Sequence, residues 1–134
     1  AAGQMGVHYI THEQSPQYYD VELHNAVLFF MEQLAVLLNT LKNTPVGAGN
    51  MLEHSVLYCT SDLSDASDHT LDEMPVLIAG KGGGRLRGNV HHRFAARTTG
   101  STAALTALQG AGVNVSSFGV GGAYTTSSIA ELKT

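Results

Sequence analysis

Cysteine is almost missing from this sequence. Cys59 is the only one, which excludes an intrachain disulfide framework. It lies in an apolar run, where a buried inert thiol is expected rather than a nucleophile. Charge is scarce too: charged residues make up 13% of the chain, about half the ~25% common in globular domains. Together with 15 glycines and many Ser and Thr residues, that suits a secreted or tightly assembled protein better than a cytosolic enzyme. The net charge of −4 gives no reason to expect a nucleic-acid partner. Arg85, Arg87, Arg93 and Arg97 form a local basic cluster that reads as a solvated loop. No stretch approaches the ~20 apolar residues needed to cross a bilayer, so no membrane span is expected, and no signal peptide is visible. The chain opens on Ala1 rather than Met and reads as part of something longer. Its 134 residues suffice for one domain and are too few for two ordinary ones.

What is present falls into an α/β order. Val7-His8-Tyr9-Ile10 reads as a short strand entering a loop. Ser15-Pro16 reads as an N-cap followed by proline at the first helical position. Beyond it, Leu23, Val27, Phe30, Leu34, Leu37 and Leu41 recur at the spacing of a helix that buries one face. Ala26, Leu28, Phe29, Val36 and Leu38 widen that stripe, which predicts cover on more than one side. The helix should end near Asn43-Thr44-Pro45. Ser55 to Thr60 and Met74 to Ala79 are continuous apolar runs of the kind found in central strands. Gly80 to Gly88 is expected to be mobile; Gly80-Lys81-Gly82-Gly83-Gly84 lacks phosphate-loop spacing and reads as a flexible turn. Asn89 to Phe94 reads as a short strand, Ser101 to Gln109 as a helix capped by Ser101, Val113 to Val115 as an edge strand, and Ser128 to Lys133 as a terminal helical turn.

In an open sheet, ligands gather beyond the carboxyl ends of the strands, which directs attention to the loop after Thr60. Between Ser61 and His69 it carries Asp62, Asp65, Asp68 and one imidazole, a set that can hold a divalent metal. The spacing excludes an EF-hand. The competing reading is a solvated loop whose Asp side chains cap local turns. His8 and His12 add an H-x-x-x-H pair able to place two imidazoles on one side of a turn, and three histidines with an open fourth position form a known catalytic zinc arrangement. Of the seven histidines, His54, His91 and His92 are lesser candidates, and His24 belongs to the long helix.

The segment Leu57-Tyr58-Cys59-Thr60-Ser61-Asp62, then His69, then Met74 to Gly80, resembles the C-terminal half of alkaline-phosphatase and sulfatase-like enzymes. Those carry a strand ending in T-S-D-H-G, a later histidine, and a strand of the type P-hydrophobic-hydrophobic-x-G. Thr99 to Val113 looks like the helix that follows in that superfamily. The nearer likeness is to the domain of unknown function 1552 proteins, an uncharacterised branch of secreted bacterial proteins exported folded by the twin-arginine route. The resemblance spans nearly the whole chain on short motifs. It implies that residues 1–134 are a single incomplete α/β domain, the C-terminal part of an alkaline-phosphatase-like sheet flanked by helices. It also implies a periplasmic or extracellular location.

Residue by residue, the resemblance implies that His8, His12 and His69 match three ligands of one metal site, and Asp62 one ligand of a second. Leu63 stands where the superfamily has a metal-binding histidine, Ser64 where it has glycine, and His8 replaces an aspartate. Leucine offers no lone pair. One three-histidine site for a divalent metal such as zinc, with Asp62 behind it or as a weak ligand, is the chemically reasonable remainder. The superfamily's nucleophile lies in an N-terminal half that this sequence does not contain, so the chain is not expected to be a complete enzyme, and that half is its first implied partner. The expected function is therefore part of a metal-dependent phosphate or sulfate ester hydrolase. The alternative is a non-catalytic secreted binding or assembly protein that self-associates or holds a partner on the same scaffold.

Overall fold

A computed structural model of the protein describes residues 6–12, 17–95 and 97–134. The expected Ser15-Pro16 cap lies outside the described residues. The chain is mixed α/β, with helices and two small antiparallel sheets. The first element is α1, Val7–His12. This corrects the expected strand: the Tyr9 and Ile10 amides both donate to the Gly6 carbonyl, a helical closure that an H-x-x-x-H stretch accommodates as readily as an extended one.

A π-helical segment, Gln17–Leu23, runs directly into α2, His24–Asn43. Its C-terminus is where proline places it. Thr40 donates to the Val36 carbonyl (2.9 Å) and Thr44 to the Thr40 carbonyl (2.7 Å) before Pro45 ends the ladder. A tight hairpin follows, β1 (Pro45–Val46) against β2 (Gly49–Asn50). Asn50 then caps α3, Met51–His54, its Oδ1 accepting the Glu53 amide at 3.0 Å.

The two apolar runs form β3 (Leu57–Thr60) and β4 (Val76–Ala79), paired antiparallel with Leu57 opposite Ala79 and Thr60 opposite Val76. They were expected as central strands. In this chain they make a two-stranded ribbon whose outer edges carry no further strand among the described residues, and Tyr58 and Leu77 are exposed.

The glycine loop after β4 is tied down, contrary to expectation. The amides of Lys81, Gly82 and Gly83 donate to the carbonyls of Leu52, Ser55 and Glu53 at the end of α3, Leu52 also accepting the Ser55 amide. Gly80 (φ 96°) and Gly82 (φ 53°) permit this approach: a Cβ on Gly82 would lie 2.0 Å from the Gly110 carbonyl oxygen.

Helix α4, Ser101–Gly110, is the centre of the core. Leu105 and Thr106 are fully buried, with Thr102, Ala103 and Ala107 nearly so. Leu86 and Ile129 close over them from the glycine loop and the C-terminal segment. Gly100, not Ser101, precedes the helix, and the Thr99 hydroxyl accepts the Ser101 amide at 3.3 Å. Gly112 (φ 85°) turns the chain out of it.

The expected strands at Asn89–Phe94 and Val113–Val115 do not form. Val113 instead donates its amide to Leu108, and Gln109 Nε2 donates to the Val115 carbonyl at 2.9 Å, so the helix C-terminus uses the backbone a neighbouring strand would have needed. The terminal helical turn is present at Ala130–Leu132.

Cover over α2 is the largest difference. No residue of α2 is buried. Ala26, Leu34, Leu38 and Leu41 are half-buried, whereas Leu28, Phe29, Phe30, Met31, Val36 and Leu37 stand open to solvent. Asp20–Asn43 is also long and apolar enough, by length and composition, to cross a membrane, although no such stretch was expected. The expectation required an uninterrupted run, and Glu32 and Gln33 interrupt this one.

Candidate functional site: an imidazole row beside an acidic loop

The loop between β3 and β4 is held by its own polar groups. Thr60 donates its hydroxyl to the Pro75 carbonyl (2.9 Å), closing the base. The Ser64 amide donates to the Thr70 carbonyl (2.9 Å) and the Thr70 amide to the Asp65 carbonyl (3.1 Å). Within that ring, Asp65 Oδ1 accepts the amides of Ser67 (2.9 Å) and Asp68 (3.1 Å). Asp65 is thus a turn-capping residue, as the solvated-loop reading held. Its tight turn puts His69 at φ 53°, a left-handed conformation that costs a non-glycine residue roughly 1–3 kcal/mol.

That conformation sends the His69 ring toward α1. His69 meets His12 with ring centroids 5.2 Å apart and planes at 83°. His12 in turn meets His8 at 4.9 Å and 75°, one helical turn away on the same face of α1. Three imidazoles from positions 8, 12 and 69 therefore form one contiguous row. Two imidazoles on one tetrahedral zinc, each with Zn–N near 2.0–2.1 Å, have ring centroids about 5 Å apart, so both neighbour spacings match such a donor set. Yet no three His, Cys, Asp or Glu groups among the described residues converge on one point as the rings stand. The rings adjoin without chelating.

Asp62 sits beside this row. It accepts a hydrogen bond from the Ser61 hydroxyl (3.3 Å) and shares with His8 the lining of a cavity of ≈ 440 Å³. One wall of it is Leu23, Val27 and Phe30 from the helical run; the other is the loop from Ser61 to Ser67, Leu63 included.

The lesser histidines lie elsewhere. His24 opens α2, exposed, and His54 ends α3. His91 is exposed. His92 packs edge-on against Phe94 with centroids 4.6 Å apart, and its Nδ1 lies 3.8 Å from Glu131. Nothing in the sequence singled out that pair. The basic cluster is engaged residue by residue. Arg85 donates to the Gly82 carbonyl (2.7 Å) and Arg87 to the Lys133 carbonyl (2.9 Å), while Arg93 pairs with Glu73 and Arg97 with Asp72. Cys59 is a free, half-buried thiol. Among the residues whose protonation the fold displaces, Glu53 is held below the ordinary glutamate range. The Lys81 ammonium does this by hydrogen bond and by charge, and the hydrogen bond from the backbone at the Asn50 cap adds to it.

The chain matches no family model, no curated protein and no solved structure.

Proposed function

We propose that this chain is the C-terminal part of a secreted, alkaline-phosphatase-like protein in which His8, His12 and His69 hold one divalent metal, zinc foremost, for hydrolysis of phosphate or sulfate esters. The observation that carries the reading is the imidazole row: side chains 57 positions apart at the closest, His12 and His69, stand in ring contact. Nothing in the packing of either element requires that meeting, since all three rings are exposed. The strained backbone at His69 supports it further, because such strain concentrates at functional sites.

The donor types and the spacing of neighbouring rings suit a metal, but the three rings as they stand do not converge on one point. Bound there, the ion would supply Lewis acidity to a phosphoryl or sulfuryl oxygen or to water. The chain's own part is to position it. His8 and His12 ride on one helical face, and His69 is fixed by the Asp65-capped turn. In this reading Asp62, which lines the same cavity as His8, serves as a weak ligand or as an acceptor behind the histidines. Among the described residues none has the activated-nucleophile arrangement that covalent hydrolysis needs, so the reading assigns the nucleophile to an N-terminal half, and folded export by the twin-arginine route belongs to the same reading.

Zinc titration by calorimetry tests it. The expected result is near-stoichiometric uptake by the chain, reduced by at least about tenfold in affinity in His69→Ala. Absence of uptake by the unaltered chain removes the hydrolase reading.

A second reading has its own support. The open apolar surface of α2 is larger than isolated surface hydrophobics require, which favours a binding or assembly protein whose partner, or second copy, covers that helix. Tight self-association together with no zinc uptake would select it.

A further inference from the structure

The basic stretch after β4 contains two kinds of arginine. Arg93 and Arg97 each meet a carboxylate, on Glu73 and Asp72, just as Lys81 meets Glu53. Arg85, Arg87 and Lys133 have no carboxylate within ion-pair distance among the described residues. We infer that Arg85 and Lys133, with Arg87 beside them, form a binding site for a small dianion that presents oxygen acceptors. The site is separate from the imidazole row and needs no metal.

Backbone contacts bring these cations together. Leu86 is buried in the core and forms a bridge with Lys133, which anchors both segments. The Arg87 amide donates to the Leu132 carbonyl (3.1 Å) and the Thr134 amide to the Arg85 carbonyl (3.2 Å). Arg85 and Lys133 thereby line one cavity of ≈ 240 Å³ together with Gln109 and Gly110, at the end of α4. At ~30 Å³ for each water of the liquid, a small anion fits there with part of its hydration shell.

The cationic side chains are held before any ligand arrives. Arg85 Nη1 donates to the Gly82 carbonyl (2.7 Å), Arg87 Nε to the Lys133 carbonyl (2.9 Å) and Lys133 Nζ to Gln109 Oε1. A guanidinium has five N–H donors and an ammonium three, so most of those on Arg85 and Lys133 have no acceptor among the described residues. Such donors bind oxyanions through charge-assisted hydrogen bonds. Offsetting the C-terminal end of α4 accounts for only part of the charge. That end carries about half a negative elementary charge, against two full positive charges in the cavity and a third alongside. The surplus matches a ligand of two negative charges better than a single carboxylate.

The test is an NMR titration of the chain at neutral pH with two probes, sulfate and succinate, sodium chloride keeping the ionic strength constant. Saturable one-to-one shifts at the amides of Arg85, Gln109 and Lys133 are expected. A preference for sulfate places both charges of the ligand on one centre; a preference for succinate places them on two carboxylates. Arg85→Gln and Lys133→Gln are each expected to weaken binding by about tenfold or more, the loss of one hydrogen bond to a charged group. Arg93→Gln, whose charge already meets Glu73, is expected to leave binding unchanged. Lys133→Gln removes only the contact to Gln109 and keeps the backbone bridge, so it reports on the site even if Arg85→Gln, which also frees the Gly82 carbonyl, fails to fold. The site is overturned if neither dianion binds, if chloride alone reproduces the shifts, or if Arg93→Gln weakens binding as much as Lys133→Gln.

Discussion

Thr106 shows how much of this fold rests on single polar side chains. Its hydroxyl is fully buried, donates to the Thr102 carbonyl at 2.7 Å and accepts the Ile129 amide at 2.8 Å. Thr106→Val would keep the shape and strand the Ile129 amide in the core, so a loss of about 1–3 kcal/mol is expected in urea unfolding. Gly82 carries a comparable constraint for a steric reason. Gly82→Ala would drive a Cβ into the Gly110 carbonyl and force an alanine to φ 53°. A destabilisation of roughly 2 kcal/mol or more is expected, read as a fall in thermal midpoint. Glu53 makes a statement about pH. Its folded-state pKa lies below the ordinary value because of Lys81, so the pair's contribution is present above the ordinary glutamate pKa and is lost as pH falls through the lowered one. NMR titration of Lys81→Met should move Glu53 upward toward the ordinary range, with little change in stability at neutral pH because the pair is exposed.

At the scale of elements, the legible parts were those whose signal is local. The stop of α2 at Pro45, the presence and C-terminal ends of β3 and β4, and helix α4 all follow from proline chemistry or apolar periodicity. The misread parts were decided by partners outside the segment itself. The glycine loop looked free because its acceptors, on Leu52, Glu53 and Ser55, lie about 30 positions upstream. Val113–Val115 looked like a strand because its alternation is strand-like, yet Gln109 captures the Val115 carbonyl. Of the site, the residue types at 8, 12, 62 and 69 were legible. The turn that aims His69 was not, since left-handed backbone at a histidine leaves no mark in composition.

At the scale of the molecule, one end is a closed core and the other an open surface. Leu105 and Thr106 are sealed between the glycine loop and the C-terminal segment, whose Thr134 amide reaches the Arg85 carbonyl at 3.2 Å. The opposite end presents α2 with Phe29 at 55% and Val36 at 61% exposure. An apolar surface of that kind drives association. Sedimentation velocity should therefore show concentration-dependent oligomers of the isolated chain, and Val36→Glu with Phe29→Glu should shift it toward monomer without changing zinc uptake.

The sequence by itself determined where α2 stops, that β3 and β4 are extended and that α4 is helical, because backbone propensity, proline geometry and apolar spacing act over a few residues. Only the tertiary structure decided that His69 meets His12, that Leu63 and Phe30 line one cavity, and that α2 stands uncovered. Those outcomes depend on how turns orient elements that the chain places far apart, and a turn's direction is set by contacts no short window of sequence contains.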